Sequence, residues 1–221
     1  LKTHKVIDVI STRSGEALRH FFKNISNAKQ VKLVAMDLSM FFKNIIQEAF
    51  PNAKIVADTF HFTRLMHWAL DNVRKDVQKG LPKDMRLYFK HSKSVLHRRI
   101  NELDMDKYQQ LSRMLEYDEN LRWAYSIVQM LFQVIDEKNP YKKVMLFKEF
   151  MTYSSKCDLP EFNKHLQTYF KWHKYIINSF YTNYSNGITE GLNTKIKTLK
   201  RISFGFRNFK NFRLRILMAC S

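Results

Sequence analysis

Cysteine, glycine and proline are all scarce: 2, 5 and 4 of 221 residues. The two thiols, Cys157 and Cys220, lie far apart and neither belongs to a Cys-x-x-Cys pair, which excludes a disulfide scaffold and a zinc ribbon. A reducing, intracellular setting, the cytoplasm, is the expectation. No apolar run approaches the roughly 20 residues of a membrane span, and no signal-peptide pattern opens the chain, which begins with Leu1 rather than Met. Acidic residues are also few, 20 Asp+Glu against 38 Lys+Arg, for a formal charge of +18. Such an excess goes beyond what solubility requires and points to a polyanionic partner, nucleic acid first and an anionic membrane surface second.

Apolar residues are plentiful. At 45% hydrophobic and 14% aromatic the chain has too much apolar surface for a disordered basic tail. Its length suits one large domain, or a domain with an appendage.

Residues Lys5 to Ile10 are β-branched and apolar and predict a strand, followed by a turn at Ser11 to Gly15 and an amphipathic helix over 16–29. Val31 to Asp37 reads as a buried strand, Met40 to Phe50 as a helix ended by Pro51, and Ala53 to Asp58 as another strand. Strand, helix, strand, helix, strand with short connections predicts an α/β unit with a parallel sheet, whose function gathers at the strands' carboxyl ends. From 61 to 183 only Gly80, Pro82, Pro140 and Pro160 interrupt helical periodicity. Segments 61–79, 83–91, 93–100, 104–116, 118–137, 141–154, 159–169 and 170–180 are expected. A turn at Ser185 to Thr189, a basic helix over 190–201, a break at Gly205 and a helix over 208–219 close the chain.

Both inner strands end in a carboxylate. Asp37 and Asp58 on adjacent parallel strands would face one crevice, where like charges repel unless a cation lies between them. Mg²⁺ suits that position, since it takes oxygen ligands and completes its octahedron with water and substrate phosphate. The alternative is that these acids cap the helices that follow. Glu190, Asn193, Lys197 and Arg201 fall in one stripe of the helix that begins near 190. An acid in a first turn is also what the helix dipole favours.

Taken together, Val34-Ala35-Met36-Asp37-Leu38-Ser39, Phe50-Pro51-Asn52-Ala53, Ala57-Asp58-Thr59-Phe60-His61, Gly187-Ile188-Thr189-Glu190-Gly191-Leu192-Asn193 and Lys197-Thr198-Leu199-Lys200-Arg201 resemble a bacterial insertion-sequence transposase of the ISL-three family. The resemblance runs from about Lys5 to about Met218. It implies a ribonuclease H-like catalytic core with an Asp-Asp-Glu triad that uses Mg²⁺, with Mn²⁺ as substitute, to cleave DNA and transfer its strands. On it, Asp37 is the second triad aspartate and Glu190 the closing glutamate, both catalytic and both metal ligands. Asp58 and His61 match an Asp-x-x-His motif near the site, and Asn193 is a supporting residue. Residues 62–183 become a helical insertion between core segments 1–61 and 184–221. The family pattern departs at its first aspartate: Asp8 is the only acid in a strand-like run upstream of the first helix, and too little chain separates it from Asp37 for two further strands. Lys5 to Ile10 then corresponds to the third strand, and the first two are expected upstream of Leu1. This polypeptide is accordingly expected to bind DNA without cleaving or joining it, and the full-length protein to do both as a homodimer on transposon ends and target DNA.

Among the cations of the tail, Lys195, Lys197, Lys200, Arg201 and Arg207 are expected to grip DNA phosphates. The interleaved Phe204, Phe206, Phe209 and Phe212 could stack on unpaired bases, but their spacing favours a core. A second basic run, Lys90 to Arg99, could track DNA at a distance from the site, though such a run is usually a solvated helix face; His61, His67 and His91 form no metal cluster by spacing, and Trp68, Trp123 and Trp172 read as core anchors. The rival reading is a non-catalytic nucleic-acid-binding module, regulatory or a remnant of such an enzyme. A membrane-surface protein is weaker, for want of a strongly amphipathic anchoring helix.

Overall fold

Two short apolar runs pair side by side. In a computed structural model, which describes residues 5–182 and 187–220 (of Lys90 and Ile188 the backbone alone), β1 (Leu33–Met36) and β2 (Lys54–Ala57) form a two-stranded parallel sheet in which Leu33 faces Lys54 and Met36 faces Ala57. Burial of Ile55, Val56 and Ala57 is nearly complete. Three further elements precede the helical block: α1 (Gly15–Lys23), a 3-10 turn at Ala28–Gln30 and α2 (Met40–Ala49). Ser14 and Ser39 cap α1 and α2 by accepting from the amides of Ala17 and Phe42. Phe22 meets Phe50 edge to face at 5.2 Å, and Arg19 donates to both oxygens of Glu48, tying α1 to the end of α2.

The strand expected at Lys5 to Ile10 does not form. Among the described residues, β1 and β2 pair only with each other. The segment is extended, its Val6 amide donating to the Cys220 carbonyl at 3.0 Å. Its carboxylate is spent locally: Asp8 accepts from the Val9 amide and from Nε and Nη2 of Arg213 at 2.6 and 3.0 Å. The Arg213 guanidinium holds the Asp8 carboxyl below its usual range. β-branched composition favours a pleated surface but supplies no neighbouring strand.

Beyond β2 the chain is helical: α3 (Thr59–Gly80), α4 (Lys83–Lys90), α5 (Lys93–Leu96), a 3-10 turn at Ile100–Glu102, α6 (Met105–Tyr117), α7 (Glu119–Asp136), α8 (Pro140–Ser155), α9 (Pro160–Phe180), α10 (Gly187–Ile202) and α11 (Phe209–Ala219). The break expected between 169 and 170 is absent, since neither Phe170 nor Lys171 interrupts helical hydrogen bonding, and α9 continues to Phe180. Conversely, the helix expected over 93–100 stops after one turn. Of the expected turn at 185–189, Ser185 and Asn186 lie outside the described residues.

The chain divides into two compact units, Leu1–Asp58 with Thr182–Ser221, and Thr59–Tyr181. In the second, α3 packs on α7 and α9, and α8 on α7 and α9. Phe62, Met66, Ala69, Leu70 and Val73 bury one face of α3 at the i, i+4, i+7 spacing of an amphipathic helix. Tyr169, fully buried, donates from its hydroxyl to the Phe62 carbonyl at 2.6 Å and packs with Phe147 and Phe150. Trp172 is buried as expected, but Trp68 is 48% exposed, with the Arg64 guanidinium over its ring. It faces away from the α3 core because it falls between the buried positions 66 and 69.

In the same unit His67 and His97 stack at 4.8 Å between centroids, their buried Nε2 atoms without protein partners. Burial pushes the His97 imidazole down from 6.5 to about 4 and lowers that of His67 as well, helped by Lys93 and, for His67, Arg99. Unfolded chains take up the His97 proton below about 6.5 and folded chains only nearer 4, and His67 is displaced in the same direction. Stability is therefore lost as pH falls through that window, by up to about 3 kcal/mol from His97. Urea unfolding between pH 7 and 4 is expected to show this loss, and His97→Phe to shrink it.

Candidate metal centre

The site is built by strand register. Met36 and Ala57 are the last paired residues, and the Asp58 amide donates to the Met36 carbonyl at 3.0 Å, so the ladder carries one step beyond them. Asp37 and Asp58 are thereby the two residues that leave the sheet together at its carboxyl end. The chain then enters α3 at Thr59, and one helical step later presents His61. Asp37, Asp58 and His61 each offer a ligand atom, and the three atoms lie within 4.8 Å of one another. Asp37 is exposed, His61 half-buried and Asp58 3% exposed. The grouping belongs to one continuous stretch of chain, β1 through the first turn of α3.

This donor set fits a divalent cation. Two carboxylates supply hard oxygen ligands, as Mg²⁺ and Mn²⁺ require, and an imidazole widens the choice towards Mn²⁺ and later transition metals. Donors at 2.0–2.3 Å from a common ion are separated by at most about 4.5 Å, so a spread of 4.8 Å needs only small side-chain adjustment. Ser39 accepts from the Phe42 amide in the first turn of α2 and serves as that helix's cap. Among the described residues this is the one group of three or more such side chains, and Glu190 is not part of it.

Glu190 lies in the first turn of α10, half-buried, where the N-terminal end of the helix dipole favours an acid. Its backbone carbonyl accepts from the Thr194 hydroxyl at 3.0 Å. Asn193, Lys195, Lys197, Lys200 and Arg201 are exposed along the same helix, while Leu192, Ile196 and Leu199 turn inward at the alternating 4 and 3 spacing of an amphipathic face. Lys195 also reaches the Ala219 carbonyl at the end of α11. Arg207 is exposed just before α11. No carboxylate follows Glu190 in the sequence, and Asp8 is the acid that pairs with a cation of α11, Arg213.

The four phenylalanines separate. Phe206 and Phe212 stack on each other at 4.7 Å, and Phe209 is half-buried, as a core requires. Phe204 departs from that expectation, being 102% exposed on the connection between α10 and α11. Sequence reasoning also missed the Asp8–Arg213 pair and the stacking of His67 on His97, because each joins residues remote in the chain.

Comparison with known proteins gives a consistent picture. A family profile described as a transposase matches residues 1–216. The transposase for insertion sequence element IS1001 of Bordetella parapertussis is 26% identical over 212 residues, covering 94% of this chain and 52% of that protein. The transposase for insertion sequence element IS1557 of Mycobacterium tuberculosis is 25% identical over 205 residues, covering 82% of this chain and 46% of that protein. A protein of Lactococcus lactis subsp. lactis named ATP-dependent protease is 35% identical over 132 residues, 59% of this chain and 38% of that protein. The chain thus spans about half the length, or less, of these relatives. No solved structure matches it. Among the described residues no helix is long and apolar enough to cross a membrane.

Proposed function

Starting from the finding that the chain belongs to the ISL-three family of DDE-type insertion-sequence transposases, we propose that it carries the metal-binding part of a centre for Mg²⁺-dependent DNA strand cleavage and strand transfer. The observation that supports this best is the meeting of Asp37, Asp58 and His61 at the carboxyl end of the parallel strands, in a chain of charge +18. Asp37 and Glu190 are the catalytic acids and hold the metal, Asp58 and His61 complete the ligand shell or fix its orientation, and Asn193 supports Glu190 one turn along α10. On this reading residues 1–61 and 184–221 contribute to a ribonuclease H-like core, and 62–183 form a helical insertion.

A divalent ion bound there would lower the pKa of the attacking water or 3′-hydroxyl and offset charge on the phosphate. The protein's part is to position. Attack on phosphorus forms one P–O bond and breaks the bond to the leaving oxygen, and the two oxygens must lie in line. Lys195, Lys197, Lys200, Arg201 and Arg207 hold the neighbouring phosphates so that this alignment persists. Two ends must be joined, which calls for two protomers.

The placement of Glu190 outside the three-residue group favours the second reading, a nucleic-acid-binding module without chemistry. A nicking assay on DNA carrying the element's own ends, using the protein as encoded by its gene, decides between them. Cleavage that requires Mg²⁺ or Mn²⁺ and stops with a chelator is expected; binding without any cleavage supports the module.

A further inference from the structure

We infer that Phe204 is a stacking wedge for an unpaired base of DNA, presented at the apex of the turn between α10 and α11. The inference rests on the reading of this chain as a DNA-binding protein.

Backbone geometry carries the first half of the argument. At the end of α10 the Gly205 amide donates to the Lys200 carbonyl at 3.0 Å, and the Phe204 amide to the Arg201 carbonyl at 3.1 Å. That pair of bonds, six residues closing on one and five on two, is the Schellman helix ending, and its left-handed position is normally glycine. Here the position belongs to Phe204, at φ 52°, and the glycine comes one residue late, at φ 92°. A phenylalanine in this conformation costs free energy that glycine would not. The side chain returns nothing to the fold, because it is 102% exposed. A single exposed apolar residue means little. A bulky aromatic held in a strained backbone position and fully in water is different, since neither local geometry nor packing accounts for it.

The surroundings identify the occupant. Lys200 and Arg201 stand on the last turn of α10, Arg207 and Lys210 on the far side of the turn, all exposed. Arg215 approaches the Ser203 hydroxyl at 3.5 Å and braces the turn. Four exposed cations around one exposed ring suit a ligand that is anionic and able to cover an aromatic face. A nucleic-acid strand with an unstacked base is both: its phosphates meet the cations while its base stacks on the ring. A lipid surface would need far more apolar area than one ring provides.

The test compares binding to a blunt duplex and to the same duplex with a single-stranded 3′ tail, by fluorescence anisotropy. Wild-type protein is expected to prefer the tailed DNA, and Phe204→Ala to lose about 10- to 100-fold in affinity for it while binding the blunt duplex normally. Phe204→Trp is expected to retain the preference and to show tail-dependent quenching absent from wild type. Phe204→Gly, which relaxes the left-handed position, should hold or raise the melting temperature yet lose the tail preference. Equal affinity of wild type and Phe204→Ala for both DNAs overturns the wedge while leaving the DNA reading intact. Failure of wild type to bind either DNA overturns both. Phe204-dependent binding to phosphatidylserine vesicles, without a Phe204-dependent effect on DNA, would assign the ring to a membrane instead.

Discussion

Replacing Asp37 by asparagine is expected to lower Mg²⁺-dependent cleavage of the element's ends by about 10³-fold, several kcal/mol of lost stabilisation, while leaving DNA affinity unchanged. Asparagine keeps the size of the side chain and one acceptor oxygen but removes the negative charge that lets the strand end share a cation with Asp58. Because Asp37 is exposed, its loss should change stability by no more than about 0.5 kcal/mol. Asp58, 3% exposed, is a poorer choice, since its replacement would mix folding with chemistry. Glu190→Gln in the same assay is the companion measurement, and a loss as large as that of Asp37→Asn would place both acids in one centre. Gel-shift and nicking assays on the same preparations separate binding from cleavage.

The second large effect is on binding, and salt reveals it. Eight cations lie between Lys195 and Arg215, and Arg213 is engaged by Asp8. If about six of the remainder meet phosphates of a duplex, the logarithm of affinity falls by about 0.9 for each contact per decade of salt, and affinity drops by about 10³-fold between 50 and 200 mM. Double replacement of Lys197 and Arg201 by alanine should reduce that slope by about two contacts' worth and weaken all DNA sequences alike. A shallow slope in the wild-type protein would mean that these exposed side chains face water rather than DNA.

What the sequence made legible follows from which forces act locally. The helices of residues 59–181 are visible because their apolar residues recur at 3.6-residue spacing and α3 has to bury one face. Asp37 and Asp58 could be placed at a common sheet end because two short apolar runs, each closed by an acid, leave parallel pairing as the simple solution. Lys5 to Ile10 misleads for the opposite reason. Its composition suits a strand, but a strand is made by its neighbour, and the extended segment meets Cys220 and Arg213 instead. Trp68 and Phe204 mislead because large aromatic side chains suggest a core whichever way the backbone turns them. In α9 the division expected near residue 170 had no glycine or proline behind it, and none was there to make it.

Diffraction from crystals soaked in Mn²⁺, read from the metal's anomalous signal, tests the central claim most directly. The account predicts a peak within ligand distance of the Asp37 and Asp58 carboxylates, absent from crystals of Asp37→Asn. Manganese that fails to collect there in wild type, at concentrations that support cleavage, would contradict it.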